Sequence, residues 1–173
     1  MSLGLTIFTI VHVIISLIGV FSGFVVLAGL LSARRFDGWT AIFLTSTVLT
    51  SVTGFFFPVH HFMPSHGVGI LSLLLLPVAI YARYGRNLIG HWRWTYVLTA
   101  MLAFYFNVFV LVVQLFVKVP ALKTIAPTQS EPPFGITQLS VLLVFVAFTI
   151  AAARRFRNLP AALPILQPAA TSA

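Results

Sequence analysis

The chain has 173 residues, 60% of them hydrophobic and 7% charged, with a mean hydropathy of +1.07. A water-soluble domain of that composition would expose mostly apolar surface, so the composition specifies an integral membrane protein. Ten Lys and Arg against two acidic residues give a formal charge of +8, but the basic residues stand at the ends of apolar runs, which excludes nucleic acid and makes the lipid bilayer the partner.

A helix needs roughly 20 apolar residues to cross about 30 Å of hydrocarbon. Five runs meet this, at 5–31, 40–57, 64–84, 94–117 and 137–153, and the expected fold is an all-α, integral membrane five-helix bundle. In the first run His12, Ser16, Gly19 and Gly23 recur at helical spacing, so this stripe should face other helices. The segment before it lacks a basic n-region, and Arg34 and Arg35 follow the run as a stop, so the run is read as a retained span rather than a cleaved signal. The second run carries Thr47, Ser51, Gly54 and Pro58 on one stripe.

Between the second and third runs lies "GFFFPVHHFMPSHGVG", with His60, His61 and His66 within seven residues. The third run contains Pro77, a candidate kink. The fourth places Ala100, Ala103, Asn107, Gln114 and Lys118 on one stripe, again read as inward. After it comes "VPALKTIAPTQSEPPFGITQ", whose four prolines disfavour a regular helix and suit a connector or a lid. The five spans form one domain, 1–157, and residues 158–173 form a proline-containing flexible tail.

All eight arginines fall at one side of this arrangement, and only Lys118 and Lys123 at the other. The N-terminus is therefore expected outside and the C-terminus in the cytoplasm, with Trp39, Tyr84, Trp92 and Trp94 as an inner aromatic belt. Counting about 1.5 Å per residue from these anchors puts His12, His60, His61, His66 and Gln114 near one level at the outer boundary, with Asn107 roughly 10 Å deeper.

With no cysteine in the chain, disulfides, thiolate sites, iron–sulfur clusters and c-type haem are excluded, and histidine is the main soft ligand left. A haem b could be held by His12 and His66, with Gln114 at the same level and Asn107 deeper. Copper or zinc could be held by His60, His61 and His66. The same histidines also suit plain amphipathic residues at the headgroup boundary. A transporter or channel would use Asn107, Gln114 and Pro77, although no span contains an acidic residue. A subunit or scaffold of a membrane complex, or a homo-oligomer, fits the small size. A Ser/His/Asp hydrolase does not, because Asp37 and the histidine cluster lie at opposite sides; whether the chain is an enzyme stays open.

The stretches "TSVTGFFFP", "NVFVLVVQLFVKVPALK" and "APTQSEPPF" resemble small multi-pass membrane proteins of bacteria with no assigned function. The resemblance covers residues 50–134. It implies a bacterial cytoplasmic (inner) membrane protein and names no catalytic residue.

Overall fold

The computed structural model describes residues 3–58 and 64–156, which are all helix and connection with no strand among them. His60, His61 and the expected tail lie outside the described residues. The helices are α1 (Leu3–Leu31), α2 (Asp37–Gly54), α3 (Pro64–Ile80), α4 (Trp92–Lys118), the short α5 (Pro120–Ile125) and α6 (Pro132–Phe156). α3 runs on into a π-helical turn, Tyr81–Gly85. Around the bundle, α1 packs on α2, α2 on α3, α3 on α4, α4 on α6 and α6 back on α1. α4 also touches α1 and α2, which makes it the most enclosed helix and explains its continuous buried stripe through Tyr96, Ala100, Ala103, Phe104 and Val108.

Among the described residues, four helical stretches are long and apolar enough to cross a membrane: Leu3–Leu31, Ser65–Gly85, Trp92–Lys118 and Pro132–Phe156. The surface agrees. Ile7, Ile14, Phe21, Leu74, Leu139, Leu143 and Ile150 are exposed, while Ser22, Thr47, Ser72, Arg83 and Gln138 are buried. This reversal of the water-soluble pattern is what hydrocarbon solvent selects, since polar groups there must find partners inside the bundle. The chain is a multi-pass membrane protein. α2 is not among the four because seven of its 18 residues are Ser or Thr, which lowers its hydropathy even though it is packed between α1 and α3.

The connections follow from local chemistry. α1 ends with Ala33 in the left-handed region (φ 53°), and the Arg34 N–H reaches back to the Gly29 carbonyl at 2.8 Å, a Schellman-type closure. A side chain at position 29 would lie 2.9 Å from the Phe36 ring, so glycine lets the turn fold flat onto the helix. Asp37 then opens α2, its carboxylate at the positive end of the helix dipole. At the same end of the bundle, Pro77 withholds one backbone donor from α3, and the helix widens so that the Arg86 N–H bonds Tyr81 O at 2.9 Å. Asn87, Leu88 and Gly90, all at positive φ, turn the chain into α4.

The proline-rich segment departs from expectation. Pro120 is at the first turn of α5 and Pro132 opens α6, positions where the missing N–H costs nothing and the fixed φ favours helix. α6 therefore starts five residues before the expected Thr137. Between α5 and α6 the Glu131 carboxylate accepts the backbone N–H groups of Thr128 and Ser130, each at 3.1 Å, and the Thr128 hydroxyl at 2.9 Å. Desolvation raises its pKa, but the hydrogen bonds from Thr128 and the local backbone together outweigh it and hold the carboxyl below its ordinary value. Ala126 and Phe134 close this segment against Phe116 and Val112 of α4.

Candidate functional site

His12 projects from α1 to the end of α2. Its Nδ1 lies 2.7 Å from the Thr53 hydroxyl, and its ring meets Phe57 edge-on at 5.0 Å. The Thr53 hydroxyl donates its own proton to Leu49 O at 2.7 Å. It is therefore the acceptor for His12, which places the imidazole proton on Nδ1 and leaves the Nε2 lone pair as the base or ligand. Gly54 sits opposite, where an added Cβ would be 3.9 Å from His12 Cε1.

One helical turn deeper, Ser16 donates to His12 O at 2.7 Å and approaches the Thr50 hydroxyl at 3.3 Å. Deeper again, the Asn107 amide of α4 donates to the Thr47 hydroxyl of α2 at 2.9 Å. Gly19 of α1 completes this level: a Cβ there would be 3.2 Å from Ser46 Oγ and 3.5 Å from Asn107 Nδ2. The result is a polar seam between α1, α2 and α4 through His12, Thr53, Ser16, Thr50, Thr47 and Asn107. It spans roughly 10 Å along α1 from His12 to Gly19.

An aromatic layer ends the seam. Phe104 of α4 meets Phe24, Phe43 and Phe145 at centroid distances of 5.0, 5.8 and 5.1 Å. A Cβ on Gly23 would fall 2.5 Å from the Phe104 ring, so the ring occupies the space that the glycine vacates. The small-residue stripe of α1 is thus used inside the bundle, Gly19 against α2 and α4, and Gly23 against α4.

Beyond the layer lies the arginine end. The Tyr96 hydroxyl bonds Thr40, and the Arg83 guanidinium stands 5.6 Å from the Tyr96 ring centroid while ion-pairing with Asp37. Arg83 is buried at 6% side-chain exposure, whereas Asp37 is 77% exposed. Arg35 is nearby: partial burial first, then the like charges of Arg83 and Arg93, lower its guanidinium pKa. Arg155 donates to Leu31 O at 3.1 Å and Arg93 to Leu88 O at 2.8 Å.

The expected site residues are therefore distributed. His12 and Asn107 enter the seam, at different depths. His66, on α3, meets the Phe55 ring at the end of α2 at a tilt, with centroids 5.7 Å apart, while His12 meets Thr53 and Phe57 of the same segment from α1. Gln114, expected on the inward stripe with Asn107, is exposed: the face of α4 that turns inward at this level is that of Val112 and Phe116, which α5 and α6 cover. Among the described residues no group of three His or acidic side chains is placed to hold a metal, and His60 and His61 lie outside them.

Residues not singled out in the sequence also matter. Thr53 sets the His12 tautomer, and Thr47 receives Asn107. Gln138 of α6 is buried, with Nε2 donating to Phe109 O at 3.2 Å and no partner for Oε1 among the described residues. A run of hydroxyls at three-residue spacing, Thr47, Thr50 and Thr53, was the available signal for the first two. No family model matches the chain, and no curated protein or solved structure matches it.

Proposed function

We propose that α2 crosses the bilayer with the four longer helices, giving five spans in a bacterial inner membrane with the histidine end outside and the C-terminus in the cytoplasm. The arginines gathered at the opposite end support this orientation. On this placement the protein is a small transporter or channel in its closed state, and the polar seam admits a proton or small polar solute from the outer face as far as the aromatic layer. The observation that carries the reading is the ladder from His12 through Ser16 and Thr50 to Asn107, stopped by Phe104. His12, with its proton on Nδ1, offers Nε2 as the entry base.

Flux of protons or small solutes into vesicles containing the purified chain tests this. Phe104→Ala should open a leak, and His12→Ala should remove its pH dependence while leaving the leak. A Phe104→Ala protein as tight as the wild type would end the transport reading.

A second reading is carried by the His12 tautomer alone. A ligating histidine typically has its other ring nitrogen fixed by a hydrogen bond, as Thr53 fixes Nδ1 here. Nε2 would then bind haem b iron, with His66 as the partner ligand, or copper or zinc with His60, His61 and His66. A Soret band that His12→Ala abolishes, or bound metal by elemental analysis, would support it. A colourless, metal-free protein would remove it.

A further inference from the structure

α2 and α3 are close at the histidine end, where a Cβ on Gly69 would lie 3.2 Å from the Phe55 ring and 3.9 Å from Ser51 O. Between that contact and the Arg83–Asp37 pair, a gap is left along the two helices where α3 carries Pro77 and passes into the π-helical turn. The gap holds two adjoining cavities of about 510 and 530 Å³ that share Val48, Ile80 and Tyr84 as walls. Exposed Ile80, Tyr81 and Tyr84 open it sideways, into hydrocarbon on the five-span placement.

A cation is fixed beside the mouth of this groove. Tyr81, a groove wall, meets the Trp92 ring edge-on at 5.3 Å, and the Arg86 guanidinium lies 5.4 Å from the same ring's centroid. Neither acidic residue of the chain serves Arg86: Asp37 pairs with Arg83, and Glu131 is held in the loop before α6. The groove therefore combines an apolar cleft with a positive charge that no acidic side chain of the described residues compensates, at the depth where tyrosine and tryptophan mark the headgroup boundary. A second helix is a poorer occupant. Helices docking in lipid favour small residues that let backbones approach, and although Ala41, Thr45 and Gly85 also line this cleft, the exposed Tyr81 and Tyr84 rings stand at its opening.

We infer that the α2/α3 groove binds an anionic phospholipid of the inner leaflet, its phosphate beside Arg86 and its acyl chains against Val48 and Ile80. This site rests on the five-span placement and not on what the seam carries. It gives the uneven distribution of charge a second use besides orientation: a specific lipid is held where α3 loses its regular helix.

The three tryptophans Trp39, Trp92 and Trp94 all stand at this end, in the first turns of α2 and α4, and serve as native reporters. The full chain is placed in phosphatidylcholine vesicles, and tryptophan quenching is titrated with chain-brominated phosphatidylglycerol or chain-brominated phosphatidylcholine. The anionic lipid should quench at about fivefold lower mole fraction, the preference expected of one arginine at an anionic headgroup. Arg86→Gln should bring the two lipids to parity, Arg86→Lys should keep most of the preference, and Thr45→Phe, which fills the groove from an exposed position, should weaken quenching by both. Unchanged helicity by circular dichroism identifies variants that remain folded. Equal potency of the two lipids on the wild type overturns the site, as does an undiminished preference in folded Arg86→Gln. Protection from both lipids by a dimer of the chain would also overturn it. The vesicles are symmetric, so an inverted topology would leave the lipid preference intact and be detected separately by cysteine labelling.

Discussion

At the histidine end α1 meets α2 through neutral groups, His12 with Thr53 and Ser16 with Thr50, whereas at the arginine end α2 meets α3 and α4 through Arg83, ion-paired with Asp37 and lying over Tyr96. Interhelical hydrogen bonds in lipid average only about 0.6 kcal/mol, because the separated helices find other partners. Removing one member of a buried ion pair costs several times more. The difference teaches that the two halves are not equally firm: the arginine end is the anchor, and the seam end is the part free to rearrange. The aromatic layer around Phe104 separates them.

The comparison is broken most severely at that layer. Gly23→Leu places a side chain where Phe104 already stands, and Phe24, Phe43 and Phe145 leave that ring no room to move. The expected loss is about 3 kcal/mol or more, read as denaturant stability in detergent, whereas Leu at Val25, off the stripe, should be tolerated. Equal tolerance at both positions would mean that the two halves are not joined through Phe104.

Next in size is the anchor. Asp37→Asn leaves the Arg83 charge buried without its carboxylate, and the expected cost is about 2 kcal/mol, below the ~3–5 kcal/mol of a fully buried pair because Asp37 is 77% exposed. The same assay on Thr53→Val, which removes the His12 acceptor, should register less than half of that. A larger loss for Thr53→Val would reverse the assignment of the firm end.

Asn107→Leu should cost about 1 kcal/mol, within the range for a buried interhelical hydrogen bond in a membrane, and Thr47→Val should lose little more when added to it. Additive losses in that double-mutant cycle would show that the two side chains do not act through one bond.

The smallest effect belongs to Glu131. Its carboxyl is held below the ordinary value of 4.5, so the loop contacts that it makes contribute fully above that pH and are lost as pH falls through the depressed folded-state value. Amide exchange at Thr128 and Ser130 should accelerate over that acid window and should be fast at neutral pH in Glu131→Gln. Protection unchanged across it would mean that the loop is held from elsewhere.

Membrane character, the helical class and the position of each run were legible in the chain because apolar length and arginine placement are local, one-dimensional properties that a bilayer reads directly. So was the use of Gly19 and Gly23, whose spacing leaves one face of α1 without side chains. What the tertiary structure decided was which polar groups meet. Helical spacing put Asn107 and Gln114 on one stripe, but α5 folding back over Val112 and Phe116 left Gln114 outside and Thr47 as the partner of Asn107. The His12 tautomer was equally invisible, since it follows from a hydroxyl 41 positions away that has already given its proton to Leu49. Prolines read as helix breakers became helix starts, because their effect depends on whether the missing N–H falls in the first turn or the interior of a helix. Composition and periodicity determine where a helix lies and which side is apolar, but a hydrogen bond between helices depends on rotation and depth to within about an ångström, and those are set only when all the helices pack.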